Sequence, residues 1–173
     1  MSGPDTLAAL RALAGFPILV ALAFDLRPIA LSIFVLAALS DALDGWLARR
    51  QGTTTNHGVL LDPLADKALV LLTLAGLSLV GAVPLALVAA IAARELLVSG
   101  LRVLRHRAGA HLPASAAAKL KTALEMCAIA LLIVARPPAA LATVGVVLLA
   151  AALAMGLVTL PTYFPHKGPR YTT

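Results

Sequence analysis

Six apolar stretches of about twenty residues each fill almost all of a 173-residue chain. A helix rises about 1.5 Å per residue, so about 20 apolar residues cross a hydrocarbon layer about 30 Å thick. The stretches run from about Thr6 to Phe24, Ile29 to Arg49, Gly58 to Val80, Leu85 to Arg105, Ser115 to Ala135 and Ala139 to Leu160. Between them lie turn and charge signals: Asp25-Leu26-Arg27-Pro28, the polar loop Arg50 to His57, Gly81-Ala82-Val83-Pro84, Arg105 to Gly109, and Arg136-Pro137-Pro138. A Pro-rich polar tail starts at Pro161. No stretch alternates apolar and polar residues, which excludes a membrane barrel. The expected fold is an all-α integral membrane protein with six transmembrane helices in one bundle, residues 1–173 forming a single domain.

Composition agrees. The chain is 61% hydrophobic and 13% charged, against roughly 45–50% and about 25% in soluble domains. A disordered tail and a disulfide-stapled module are excluded. The net charge of +6 reflects only eight acids rather than many bases, so a nucleic-acid partner is not expected. The single cysteine, Cys127, lies in an apolar run and reads as a small buried side chain. The first stretch lacks a preceding basic region and a small-residue cleavage site, and reads as a retained helix rather than a signal peptide.

Lysine and arginine placement sets the expected orientation. Arg49, Arg50, Arg105, Arg107, Lys167 and Arg170 fall on one side, and only Arg27 and Arg136 on the other. Both termini are therefore expected in the cytoplasm. Trp46, Tyr163 and Phe164 are candidate interfacial anchors, and the four histidines, His57, His106, His111 and His166, fall in links or the tail.

Four of the eight acids crowd into one segment, Asp41 to Asp66. Asp41 and Asp44 are three apart, and Asp62 and Asp66 four apart, so on helices each pair shares a face. The short loop between makes the two helices antiparallel neighbours, letting the pairs converge within the cytoplasmic leaflet. A carboxylate in a spanning helix costs on the order of 2.5–3.5 kcal/mol, and four together repel unless a cation joins them. Hard carboxylate oxygens without histidine or cysteine at ligand spacing suit Mg²⁺, Mn²⁺ or Ca²⁺. Gly45 and Gly58 open space where backbone approaches a bulky ligand or a neighbouring helix.

The full pattern, Asp41-x2-Asp44-Gly45-x2-Ala48-Arg49-x8-Gly58-x3-Asp62-x3-Asp66, resembles the signature of the CDP-alcohol phosphotransferase family at every position and gap. The resemblance implies a six-helix membrane fold that forms homodimers. It implies a site for Mg²⁺ or Mn²⁺, two ions, held by Asp41, Asp44, Asp62 and Asp66. It also implies transfer of a phosphatidyl group from a CDP-linked lipid with release of CMP, Asp66 acting as the base. Gly45, Ala48, Arg49 and Gly58 would line the cytidine-diphosphate pocket.

The second half bears on the acceptor alcohol. Arg94, Val98, Arg102 and Arg105 fall on one helical face, and the fifth stretch opens with Lys119, Lys121 and Thr122. Bases in two helices with few acids to pair suggest an anionic acceptor, bound by Arg94, Arg102, Lys119 and Lys121. An Arg94–Glu95 pair, and interfacial anchoring by Arg102, Arg105 and Arg107, are the competing structural readings. The run R-E-L-L-V-S-G-L-R followed by K-L-K-T is similar to the bacterial branch of the family that uses glycerol 3-phosphate. That implies CDP-diacylglycerol and glycerol 3-phosphate as substrates and the bacterial inner membrane as location, the site facing the cytoplasm. Two departures stand out: Asp5 and Ala8 replace the family's usual Asn and Thr, and Ala118 a glycine. Phosphatidylglycerol or inositol phosphate as acceptor is the nearer alternative. A non-enzymatic cation carrier is the alternative of another class, but it predicts acids spread across several helices.

Overall fold

The computed structural model describes the backbone of residues 3–51, 62–107, 116–136 and 139–163, and the side chains of 10–40, 43, 67–105, 116–136 and 139–163. Among these residues the chain is all helical. The helices are α1 (Gly3–Ala23), α2 (Arg27–Gln51), α3 (Asp62–Leu79), α4 (Leu85–Arg107), α5 (Ala116–Val134) and α6 (Ala140–Val158), followed by a 3₁₀ turn, Leu160–Tyr163. The expected ends hold to within a few residues. The basic link after the fourth stretch is the last turn of α4, so His106 is helical rather than in a link.

Two interhelical turns are built alike. At the end of α1 the Leu26 N–H donates to Ala21 O (2.7 Å) and Asp25 N–H to Leu22 O (3.0 Å). At the end of α3, Ala82 N–H donates to Leu77 O (2.8 Å) and Gly81 N–H to Ser78 O (3.0 Å). Both are Schellman closures around one left-handed residue, Asp25 at φ 55° and Gly81 at φ 73°. Pro28 and Pro84 then sit where the next helices begin. Glycine takes this conformation freely, whereas Asp25 needs support. It has it: Arg27 Nε lies 2.8 Å and Arg136 Nη2 2.6 Å from its carboxylate. Arg27 Nη1 also donates to the carbonyls of Ile133, at 3.2 Å, and Ala135, capping the C-terminus of α5. The two bases expected on the outer side thus stitch the α1–α2 turn to α5.

The core is aliphatic and runs the length of the bundle, with Ile18, Leu22, Phe34, Leu69, Leu74, Leu77, Ile91, Ile129, Leu132 and Leu149 closed from solvent. The most extensive contact is α1 along α3, followed by α5 along α6 and α1 along α2. The two helices carrying the acid pairs therefore share α1 as a neighbour. Small residues let these helices close up, as the alanine-rich sequence suggests. A Cβ on Gly15 would stand 2.7 Å from Leu72 Cβ, and one on Gly145 2.6 Å from Leu132 Cγ.

The outward faces are apolar too. Leu10, Leu13, Phe16, Leu36, Leu85, Val147 and Val158 are all more than half exposed. A soluble monomer rarely carries such a surface, whereas a bilayer covers it. By length and composition one described helix, α6, can cross a membrane (Ala140–Val158, mean hydropathy 2.5). Shorter apolar helical segments occur at Leu10–Ala23, Arg27–Ser40 and Lys67–Leu79.

Two expectations are corrected. Cys127 is exposed, not buried: the inward face of α5 is Lys121, Glu125, Ala128, Ile129, Leu132 and Ile133, and Cys127 falls off that stripe. Tyr163 is buried rather than an exposed anchor, because Arg102 lies over its ring at 5.8 Å and Arg105 Nη1 donates to its carbonyl at 3.4 Å. Phe164, His57, His111 and His166 lie outside the described residues, as does the side chain of Trp46.

Two outcomes test this packing. Gly145→Ala should destabilise by about 1–3 kcal/mol through overpacking, while Gly100→Ala, with nothing within 4 Å of the added Cβ, should be neutral or stabilising; thermal melts in detergent compare them. The hydrogen bond from Arg27, with the charges of Arg136 and Arg27, holds the Asp25 carboxyl below its ordinary 3.8. A depressed carboxyl adds stability above its ordinary value and loses it as pH falls through the folded value. The melting difference between wild type and Asp25→Asn should therefore be present at neutral pH and shrink once pH drops below 3.8.

Candidate active site

Both acid pairs stand on helical backbone, which is what their shared-face reading requires. Asp41 and Asp44 lie on α2 together with Gly45, Ala48 and Arg49, and Asp62 opens α3 with Asp66 one turn later. An acid at the first position of a helix meets the positive end of its dipole. Pro63 follows in the first turn, where its missing N–H costs nothing. The side chains of these residues lie outside the described ones, as does all of Gly58. The donor set fits a hard divalent cation on its chemistry: four carboxylates, helically paired, from two consecutive helices.

One residue beyond Asp66 begins a second constellation. Lys67 on α3 reaches Glu95 on α4, with Nζ 2.6 Å from Oε2. The other oxygen of Glu95 takes Arg94 Nη1 at 2.6 Å and Lys121 Nζ from α5. Lys121 Nζ also meets Glu125 Oε2, one turn along its own helix, at 2.6 Å. Arg94 Nη2 donates to Gly156 O on α6 at 3.2 Å. A Cβ at Gly156 would lie 2.8 Å from Arg94 Nε, so this glycine is the gap through which the guanidinium reaches the α6 backbone. Glu95, Glu125, Lys121 and Arg94 are all buried, at 2, 1, 3 and 7% exposure. Four helices therefore meet at one charged cluster.

Among the described side chains, Lys67, Arg94 and Lys121 converge on Glu95, with Glu125 behind Lys121. Buried charge of this kind is costly unless paired and hydrogen-bonded, and bases gathered at one polar junction are also the chemistry that receives an anion.

Of the four residues expected to hold the acceptor's anionic group, two enter this cluster and two do not. Arg94 and Lys121 are buried within it, already engaged by Glu95. Arg102 and Lys119 are exposed, and Arg102 is turned onto Tyr163. The face Arg94, Val98, Arg102, Arg105 runs from the interior out to the surface as α4 leaves the bundle. Sequence reasoning missed Glu125, Gly156 and the reach of Lys67. The signal for Glu125 was present: Lys121 and Glu125 are four apart, and the second half of the chain has no acids besides Glu95 and Glu125.

Glu95→Ala would strand Arg94 and Lys121 without their shared partner. It should cost about 3–5 kcal/mol, read as a drop in the detergent-solubilised melting temperature.

Comparison with known proteins adds to this geometry. The family model for CDP-alcohol phosphatidyltransferase matches residues 1–158. A protein of Mycobacterium tuberculosis named "Probable phosphatidylglycerophosphate synthase" is 39% identical over 133 residues, 77% of this chain and 63% of that protein. Two proteins named "CDP-diacylglycerol--glycerol-3-phosphate 3-phosphatidyltransferase" are also similar. That of Rickettsia bellii is 42% identical over 104 residues (58% of this chain, 56% of that protein), and that of Cereibacter sphaeroides 38% over 136 residues (75% and 62%). The chain spans less than two thirds of the length of these relatives. A match across residues 1–158 of 173 covers nearly the whole chain: it belongs to the CDP-alcohol phosphatidyltransferase family.

Proposed function

We propose that this chain is a CDP-diacylglycerol–glycerol-3-phosphate 3-phosphatidyltransferase of phospholipid biosynthesis, a single six-span domain in the bacterial inner membrane. Both termini and the active site face the cytoplasm, and the chain works as a homodimer. The observation that carries the acceptor assignment is the convergence of Lys67, Arg94 and Lys121 from three helices at one junction, next in sequence to Asp66. A neutral alcohol has no use for gathered bases, whereas the phosphate of glycerol 3-phosphate answers them. The names of the relatives point the same way. The apolar outward faces support the membrane placement.

In this reading Asp41, Asp44, Asp62 and Asp66 hold two Mg²⁺ or Mn²⁺ ions, which when bound neutralise the diphosphate oxygens and the departing CMP. Gly45, Ala48, Arg49 and Gly58 line the cytidine-diphosphate pocket. Arg94 and Lys121 draw the acceptor phosphate inward, and Arg102 and Lys119 meet it at the surface. The acceptor hydroxyl oxygen forms a bond to the phosphorus that carries diacylglycerol. The bond from that phosphorus to the CMP oxygen breaks, CMP leaves with the electron pair, and the hydroxyl proton passes to Asp66. A site at the leaflet boundary keeps acyl chains in lipid and the nucleotide in water.

The decisive assay is CMP release from CDP-diacylglycerol in liposomes. Release should need both glycerol 3-phosphate and Mg²⁺ or Mn²⁺ and should stop with a chelator. Release with phosphatidylglycerol or inositol phosphate in its place would reassign the acceptor, and no release with any alcohol would overturn the enzyme reading. Asp66→Asn should bind CDP-diacylglycerol but lose at least a hundredfold in turnover, the general range for a general base; a near-normal rate would remove Asp66 from that role.

A further inference from the structure

Among the described side chains, Glu125 Oε1 is the buried acceptor oxygen that has no hydrogen-bond donor. The residue is 1% exposed, and its other oxygen is fixed 2.6 Å from Lys121 Nζ. A buried carboxylate oxygen without a donor is costly, so it persists where something else supplies the donor. The orphaned nitrogen of the same cluster, Arg94 Nε, has a different explanation. It is shut against α6 at Gly156, where even a methyl group would collide. Glu125 Oε1 belongs to a residue one turn, about 6 Å, further along α5 than Lys121.

We propose that Glu125 is a specificity-determining residue whose Oε1 accepts a hydrogen bond from a second hydroxyl of the acceptor, the one that does not attack. This rests on the function proposed above, in which Lys121 engages the acceptor's phosphate. An acceptor held there by its phosphate extends its carbon chain past Lys121. In glycerol 3-phosphate the middle hydroxyl sits on the carbon next to the phosphate ester, and the attacking hydroxyl one carbon beyond. One lysine thus ties two recognition elements together, its charge serving the phosphate and its ion pair holding Glu125 Oε2 so that Oε1 faces a donor. A hydroxyl that pairs with a charged acceptor discriminates strongly against an analogue that lacks it, because the buried oxygen is then left empty.

The test uses full-length protein in CDP-diacylglycerol liposomes with Mn²⁺, comparing glycerol 3-phosphate with 3-hydroxypropyl phosphate. The analogue keeps the phosphate and the attacking hydroxyl and lacks the middle one. Wild type should prefer glycerol 3-phosphate by about tenfold or more in kcat/KM. Glu125→Met, which removes the acceptor oxygen while Lys121 keeps Glu95, should bring that ratio close to one, through loss on glycerol 3-phosphate alone. Glu125→Gln, which keeps a neutral acceptor oxygen, should retain part of the preference, and it decides the matter alone if the methionine variant does not fold. Parallel losses on both substrates, or an unchanged ratio in either variant, would overturn the proposal and leave Glu125 a structural partner of Lys121 holding only water. A wild type that releases no CMP with glycerol 3-phosphate overturns the function proposed above, and this inference with it; the two failures are told apart by the wild-type control.

Discussion

The carboxylate of Glu95 holds the bundle together at its polar centre. Its two oxygens take Lys67 from α3, Arg94 from its own helix and Lys121 from α5, and Arg94 passes the connection on to α6. In an interior packed mainly by aliphatic side chains, such a contact is directional where apolar packing is not. It fixes the rotation of α3 at the residue next to Asp66. The acid-bearing start of α3 is therefore tied to the next helix in sequence.

The rest of the architecture complements this. The α1–α2 turn carries its own electrostatic clasp, with Asp25 between Arg27 and Arg136 and Arg27 on the last carbonyls of α5. Between that clasp and the Glu95 cluster the helices touch through glycines and large aliphatic side chains, α1 on α3 and α6 on α5. Polar fixation at two levels with close apolar packing between them specifies one bundle, because dispersion contacts alone discriminate poorly among similar helix arrangements.

Much of this was legible in the sequence. Helices declare themselves through local apolar length and turn chemistry, so six stretches became six helices with ends displaced by only a few residues. The motif spacing was legible for the same reason, since three and four residues mean one face once the backbone is helical. What could not be read was long-range pairing. The Arg94–Glu95 pair was among the readings the sequence offered and is present, whereas Lys121 looked like a base short of acids and only the fold brings it to the same oxygen of Glu95. Cys127 and Tyr163 were misjudged because an apolar run does not say which side of a helix faces inward, nor where a chain turns back after its last helix.

The arrangement of charges also bears on assembly. On α4 the adjacent Arg94 and Glu95 neutralise each other, and on α5 Lys121 and Glu125 do so across one turn. Each of these buried bases therefore has a counter-charge within its own helix. That lowers a cost which would otherwise fall on every charge separately. Lys67, by contrast, meets Glu95 from a different helix. The junction that fixes the start of α3 is thereby complete only once the helix that bears Glu95 is in place.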